Sequence, residues 1–508
     1  VKALEGRKDL EAAVRAKGRR WLRAAVACGV SLGFVLASAG QEPEEIEEPV
    51  AIEGAGILPV TTERRVSIRG IEGEIAVRAG KPGELRFLSL SSADRRKELP
   101  VAIFVEGNRA RMEPEKETSS APRILQVAVP AEMEVSIESE RSRVDVSGVQ
   151  GGLEVRGSEL RLDVRGVGGT VELSLVGSVA AIEAVSGDLS LRATGTELRA
   201  ASVQGDGSLD ADGGKIELRS WKGALSADLD GVAFVLEDVA GAVELKARGG
   251  SIALSGAASG GTLSLAGTPL VLERCRGDIT IETDADVQFR DMQASFHLDS
   301  YGGSLRGFKN EGLLEARTRA ATIALEGLSG PTRIAGEGLK VSLKTLAGET
   351  MLFTRTSEIA IEAVAGKLYV ENEGGDVRIA QASAPVEIRS RGGSVRVAGL
   401  SAPVTIDSDG REVEVAWQTL AGGENSFIRN AGGDVRVVFP ASGGCRVEAE
   451  SEFGRIESDL PRLRLFDGGR QAQGFVGYAS RPEVRIESSG DVFLLGPPTP
   501  EPAEEEGS

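Results

Sequence analysis

The sequence predicts an all-β chain: a parallel β-solenoid (β-helix) of about 18–20 residues per coil with a small N-terminal β cap region. Three observations predict it. The first is an internal copy. Gly374-Gly375-Asp376-Val377-Arg378-Ile379 returns as Gly392-Gly393-Ser394-Val395-Arg396-Val397, and Ser383-Ala384-Pro385-Val386 returns as Ser401-Ala402-Pro403-Val404, both offset by 18 residues. The second is a short alternation of apolar and polar residues that begins at Gly, as in Gly187-Asp188-Leu189, Gly241-Ala242-Val243, Gly277-Asp278-Ile279 and Gly433-Asp434-Val435. Side chains alternate across a strand, so such runs read as strands with one buried face, and they lack the three- and four-residue steps of a helix. The third is composition. The 508 residues include 66 Gly and only 4% aromatics, which disfavours helix and suits thin layers of Val, Ile, Leu and Ala.

A unit of this length cannot bury its own apolar face and must stack on its neighbours. Strands start about nine residues apart, which gives two or more per coil, each pairing in parallel with its equivalent one coil away. About 325 residues in coils of about 19 make about 17 coils, roughly 80 Å at about 4.8 Å per coil. Gly is expected at the corners because it accepts positive φ. A β-sandwich, or a string of them, is the rival arrangement for short regular strands; the 18-residue copy favours the solenoid.

From the N-terminus, residues 1–39 read as a signal peptide or N-terminal membrane anchor. Lys17-Gly18-Arg19-Arg20 precedes a 16-residue apolar stretch, residues 24–39, that ends in Ala37-Ser38-Ala39. That is the three-part build of a secretory signal and is short for a membrane span. Residues 40–50 form an acidic linker and residues 496–508 a disordered acidic tail. Residues 51–130 hold longer strand candidates, such as Val101-Ala102-Ile103-Phe104-Val105, and read as the N-terminal β region that caps the first coil. Residues 131–495 are the repeat domain, with cap strands at its C-terminal end.

The formal net charge is −18, and residues outside 1–39 carry 51 basic against 74 acidic side chains, or −23. Such a surface repels phosphate, so nucleic acid is not an expected partner.

The chain resembles a bacterial family named for putative adhesins, a β-strand-repeat domain of unknown function. The residues that carry the likeness are Val66-Ser67-Ile68, Leu125-Gln126-Val127-Ala128-Val129-Pro130, the Gly-Asp-Ile repeats, and the closing Gly433-Asp434-Val435-Arg436-Val437-Val438-Phe439-Pro440 with Gly454-Arg455-Ile456-Glu457. The resemblance spans about residues 60–490. It implies an exported or envelope-associated solenoid and supplies no catalytic residues.

The residues that carry chemistry in other folds read as structural here. His297 is the single histidine, which excludes a multi-histidine metal site, and no nucleophile-elbow motif accompanies it. Cys275 and Cys445 lie about nine coils apart, roughly 40 Å, too far for a disulfide, and are expected as buried thiols. Gly205-Asp206-Gly207, Asp210 and Asp212-Gly213-Gly214 hint at calcium repeats but lack the full nonapeptide and read as acidic turns. Glu282 and Asp284 are a carboxylate pair of the kind glycoside hydrolysis uses, and Trp221 and Trp417 are weighed as packing against ligand stacking. Arg378 and Arg396 form a ladder of like charge on an outward face, which an acidic partner or neighbour would relieve.

No catalytic, cofactor-binding or metal-ligating residue is assigned, and no cofactor is called for. The expectation is a non-enzymatic, exported solenoid, an adhesin-like or structural element in the periplasm, at the cell surface or outside the cell. Its partner would be an envelope component, a glycan or a protein surface, and it would touch the membrane only through residues 24–39. Two alternatives share the fold: a polysaccharide lyase or hydrolase, and a scaffold that polymerises end to end.

Overall fold

A computed structural model describes residues 50–52, 55–60, 65–106, 109–115, 122–420, 423–478 and 481–497, all within one unit, Pro49–Ser508. The expected leader and linker lie outside the described residues apart from Val50, as does the acidic tail apart from residues 496–497.

The described residues are almost entirely β-strand, and the only helical turn among them is the short 3-10 turn Asp467–Gly469. Two parallel sheets run side by side. Each coil gives one strand to each, such as Leu368–Glu373 to the first and Val377–Ala382 to the second. Seventeen successive coils run from Glu134–Glu140 to Asp434–Val438 and are numbered 1 to 17 here. The register is 18 residues per coil: Val135 lies beside Leu153, Leu153 beside Val171, and Leu368 beside Val386. It breaks twice. One residue is missing after Ile281, so Leu270 pairs with Val287, and four are added after Trp417, so Val413 pairs with Val435.

Alternation fills the interior. In Leu368–Glu373 the side chains of Leu368, Val370 and Asn372 are buried, while Tyr369, Glu371 and Glu373 face out. Repeated at each coil, this gives continuous rows, such as Val155, Leu173, Leu191, Leu209, Ala227 and Leu245. Large and small residues share space across coils. Gly207 stands where its neighbours have Leu189 and Leu225, and a Cβ there would lie 2.4 Å from the buried Trp221 ring.

One inward row changes character along the stack. At the end of each first-sheet strand it holds Leu175, Ala193, Ala211, Leu229, Ala247 and Leu265, then turns polar with Thr283, Ser300, Thr318, Thr354, Asn372, Ser390, Ser408 and Asn430. This row borders a corner, where turn carbonyls have no ladder partner. Some of these side chains donate to them: Asn372 Nδ2 donates to Ser357 O at 3.0 Å and Gly375 O at 3.1 Å, while Asn372 Oδ1 accepts from Thr354 Oγ1 at 2.9 Å. The aliphatic interior expected from composition is therefore incomplete over these coils.

The corners after the first sheet carry positive-φ glycine as expected, as at Gly177, Gly195, Gly213, Gly231, Gly249 and Gly267, whereas the bends of the second sheet use it less. Each second-sheet strand bends at a left-handed residue that inserts one position into the alternation. After Ile359 and Ile361, Ala363 at φ 56° turns outward and Val364 returns to the core. This residue recurs over fifteen coils from Gly148 to Gly399, and ten of the fifteen are not Gly. Glycine is needed more strictly where backbones of adjacent coils touch. A Cβ on Gly223 would lie 2.2 Å from Gly205 O, and one on Gly241 2.0 Å from Gly223 O.

Both ends of the stack are built out of chain order. Arg65–Arg69 and Gly73–Gly80 form a coil that lies between coil 1 and a coil made later, from Arg109–Pro114 and Arg123–Pro130. Likewise, Glu483–Ser488 and Val492–Leu495 insert between coil 17 and the earlier-made Cys445–Ser451 and Ile456–Ser458. Antiparallel strands cover the outer coils: Val101–Glu106 and Glu84–Ser91 at one end, Gln471–Val476 with Leu463–Phe466 at the other. Parallel stacking thus begins inside residues 51–130, and only part of that stretch acts as a cap.

Candidate interaction face

Most residues singled out by chemistry are absorbed by the stack. Trp221 is fully buried, and Trp417 is buried against Phe439 with ring centroids 6.0 Å apart and its Nε1 donating to Ala402 O at 3.3 Å. Cys275 and Cys445 are both buried and unbonded. Burial pushes the Cys275 thiol up and the Cys445 thiol up to about 12, so neither is a reactive thiolate near neutral pH. His297 lies on the outer face of the first sheet, its Nδ1 3.3 Å from Glu315 Oε2.

The acidic turns have a definite job. Asp206 Oδ1 accepts from Ala224 N at 2.8 Å, and Asp188 Oδ1 from Asp206 N at 2.9 Å. Among the described residues no group of three or more His, Cys, Asp or Glu side chains gathers as metal ligands. Glu282 and Asp284 line a shallow depression of about 310 Å³ with Asp228, Lys246 and Tyr301, and Asp284 Oδ1 already accepts from Gly267 N at 2.6 Å. The Arg378–Arg396 ladder is relieved within the chain: Arg378 lies 3.6 Å from Asp376, and Arg396 pairs with Glu414 on the next coil at 2.5 Å.

A larger depression lies elsewhere, on the outer face of the first sheet over coils 10 to 14. It measures about 630 Å³, and Tyr301, Arg317, Arg319, Ala335, Glu337, Phe353 and Arg355 are among the residues lining it. Small residues at Ala335 and Gly336 form its floor. Phe353 and Tyr369 stand beside it with ring centroids 5.5 Å apart, flanked by the Arg333 guanidinium 5.3 Å from the Phe353 ring and the Arg389 guanidinium 5.6 Å from the Tyr369 ring. Tyr369 OH donates to Glu371 Oε2 at 3.0 Å, and burial together with that carboxylate raises its pKa.

The outermost column of this face alternates in sign. Arg319, Glu337, Arg355, Glu373 and Arg391 follow one another at successive coils, and Asp409 is eighteen residues further on. Arg355 pairs with Glu373 at 3.0 Å and Arg391 with Glu373 at 3.6 Å. Sequence reasoning missed this face because its members are 16 to 18 residues apart; writing the chain in rows of 18 would have found it.

Residues 243–494, coils 7 to 17 and the C-terminal closure, match the Toastrack DUF4097 family. This stretch is a Toastrack domain. The match agrees with the resemblance carried by Gly433-Asp434-Val435 and its repeats: a β-strand-repeat domain of unknown function. No curated protein matches the chain. A crystal structure described as a "putative cell adhesion protein" from Clostridium sporogenes is similar at 7% identity over 88% of this chain and 100% of that one, with a TM-score of 0.12, a likeness too low to carry an argument. The outer face with Phe353 and Tyr369 falls inside the Toastrack domain.

Proposed function

We propose that this chain is an exported, non-enzymatic element of a bacterial envelope, and that its working surface is the outer face of the first sheet over coils 10 to 16. The observation that carries the reading is the Phe353–Tyr369 pair, held on a solvent-facing sheet between Arg333 and Arg389. A β-ladder fixes each outward side chain at one position per coil, so the face is ordered before any partner arrives. Preorganised aromatic and guanidinium groups are the side chains that dominate binding surfaces, because little rotamer freedom is lost on contact. The leader-like residues 1–39 support export.

The test uses the full chain in a bacterial host. Fractionation should place it outside the cytoplasm, and crosslinking should capture an envelope component, whether glycan or protein. A Phe353→Ser/Tyr369→Ser variant that keeps the wild-type circular dichroism should lose that capture. Retention in the cytoplasm, or turnover of a polysaccharide by the purified chain, would overturn the reading.

A further inference from the structure

We propose that the partner of this face is a second copy of the same chain, docked face to face with the two solenoids antiparallel. This rests on the working surface assigned above and names what covers it.

A two-fold axis that runs along the strands and lies between coils 13 and 14 reverses the coil order but keeps each column opposite itself. In the outermost column Arg319 then meets Asp409 of the other copy, Glu337 meets Arg391, and Arg355 meets Glu373. In the next column Arg317 meets Asp407. In the third, Arg333 meets Glu387. Every charged residue that meets another charge across the axis meets the opposite sign, and each pair occurs twice, as an isologous contact requires. Moving the axis by half a coil, onto coil 13, sets Arg355 on Arg355 and Glu337 on Glu373, so the charges exclude the registers in which the axis lies on a coil. A parallel, in-register docking sets Arg317 on Arg317 and Glu371 on Glu371 in the middle column. Like charges brought together in this way disfavour the wrong arrangement.

The same axis passes through the apolar part of the face. Met351 and Phe353 belong to coil 13 and Tyr369 to coil 14, and all three are half-buried. Met351 of one copy faces Tyr369 of the other, which gives an apolar centre inside a charged rim, the usual layout of a specific interface. Arg319 and Glu337 make no ion pair among the described residues, whereas Arg355, Glu373 and Arg391 hold one another in place along the column. Six coils of about 4.8 Å and a strand of about 20 Å give roughly 1,100 Å² over both copies, near the lower end of what stable interfaces bury.

The test is sedimentation velocity on the full chain across protein and salt concentration. A dimer that weakens with salt is expected. Arg355→Glu alone and Glu373→Arg alone each put like charges together at two places and should raise the dissociation constant at least 10-fold. An equal mixture of the two single variants should dimerise as a heterodimer, since Glu at 355 of one then faces Arg at 373 of the other. The doubly swapped chain should recover the wild-type dimer. Arg378→Glu, on the outer face of the second sheet, should leave it unchanged. Circular dichroism checks that each variant folds. A wild-type chain that stays monomeric, or single variants that dimerise as well alone as mixed, overturns the proposal. A monomeric chain whose envelope capture is still lost in Phe353→Ser/Tyr369→Ser sinks self-pairing and leaves the working face standing. A charge-dependent dimer found in the cytoplasm does the reverse.

Discussion

The Asp188 carboxylate accepts a hydrogen bond from the backbone N–H of Asp206, eighteen residues later, at 2.9 Å. The contact recurs from Asp206 to Ala224, from Asp286 to Ser304 at 2.7 Å and from Asp376 to Ser394 at 3.1 Å. The Gly-Asp-apolar phrase of the sequence is thus a tie between coils: Asp holds the next turn just before the strand begins. Asp206→Ala should cost about 1 kcal/mol, read as a lower denaturant midpoint, and Asp206→Asn, which keeps the acceptor, should cost less. The Ser304 hydroxyl and N–H hold the Asp286 carboxyl below its ordinary range, so its contribution is present above the unfolded pKa and is lost as pH falls through the folded one.

The two uses of glycine separate by substitution. Gly223 has Gly205 O where a Cβ would go, so Gly223→Ala must push two coils apart and should cost about 2 kcal/mol or more. Gly231 has φ 63° and open space around it, and Asn tolerates that conformation. Gly231→Asn should therefore stay within about 0.5 kcal/mol of wild type. Equal losses in thermal unfolding would refute the distinction.

The inward polar row makes a third prediction. Thr318 Oγ1 is buried and has no hydrogen-bond partner, while the Asn372 amide serves two carbonyls and a hydroxyl. Thr318→Val should be neutral or stabilising, because it removes an unmet donor at equal volume. Asn372→Leu should destabilise by about 2–3 kcal/mol, since it orphans buried groups. Hydrogen exchange at coils 11 and 14 reads both locally.

Cys445 gives the alkaline limb. Its thiol is pushed up to about 12 by burial, above the ordinary 9.0. A raised folded pKa contributes stability that is intact below the unfolded value and is lost as pH climbs toward the folded one. Between pH 9 and about 12 the wild-type chain should lose more stability than Cys445→Ala does. The thiol should also resist aromatic disulfide reagents at pH 8 until the chain is unfolded.

The stack was legible in the sequence because its cause is local and repeated. Val377, Ile379, Val395 and Val397 alternate on their own strands and recur at the coil period, so pairing partner and inward face follow together. The chemistry of the second-sheet bends was not legible. Ala363 and Gln381 adopt positive φ in spite of their side chains, because packing at the bend overrides local preference, so Gly marked the corners after the first sheet but not the bends of the second. The order of the end coils was hidden for another reason. Val484 and Val447 carry the same alternation wherever their strands are placed, so nothing in Glu483–Ser488 says that it goes between two earlier strands. The outer face was hidden by distance along the chain, since Tyr301, Phe353 and Tyr369 share a surface only once the coils are in register.

That late insertion gives the molecule a direction in time. Cys445–Ser451 leaves the ribosome before the strand that must lie beside it exists, and its slot stays open until Glu483–Ser488 and Val492–Leu495 have been made. A chain cut between Ser458 and Glu483 has two sheet edges facing an empty berth, which proteases and chaperones read as unfinished. The slot between coil 17 and the outer coil is closed only by strands made after both of its walls, so their arrival is itself the latch.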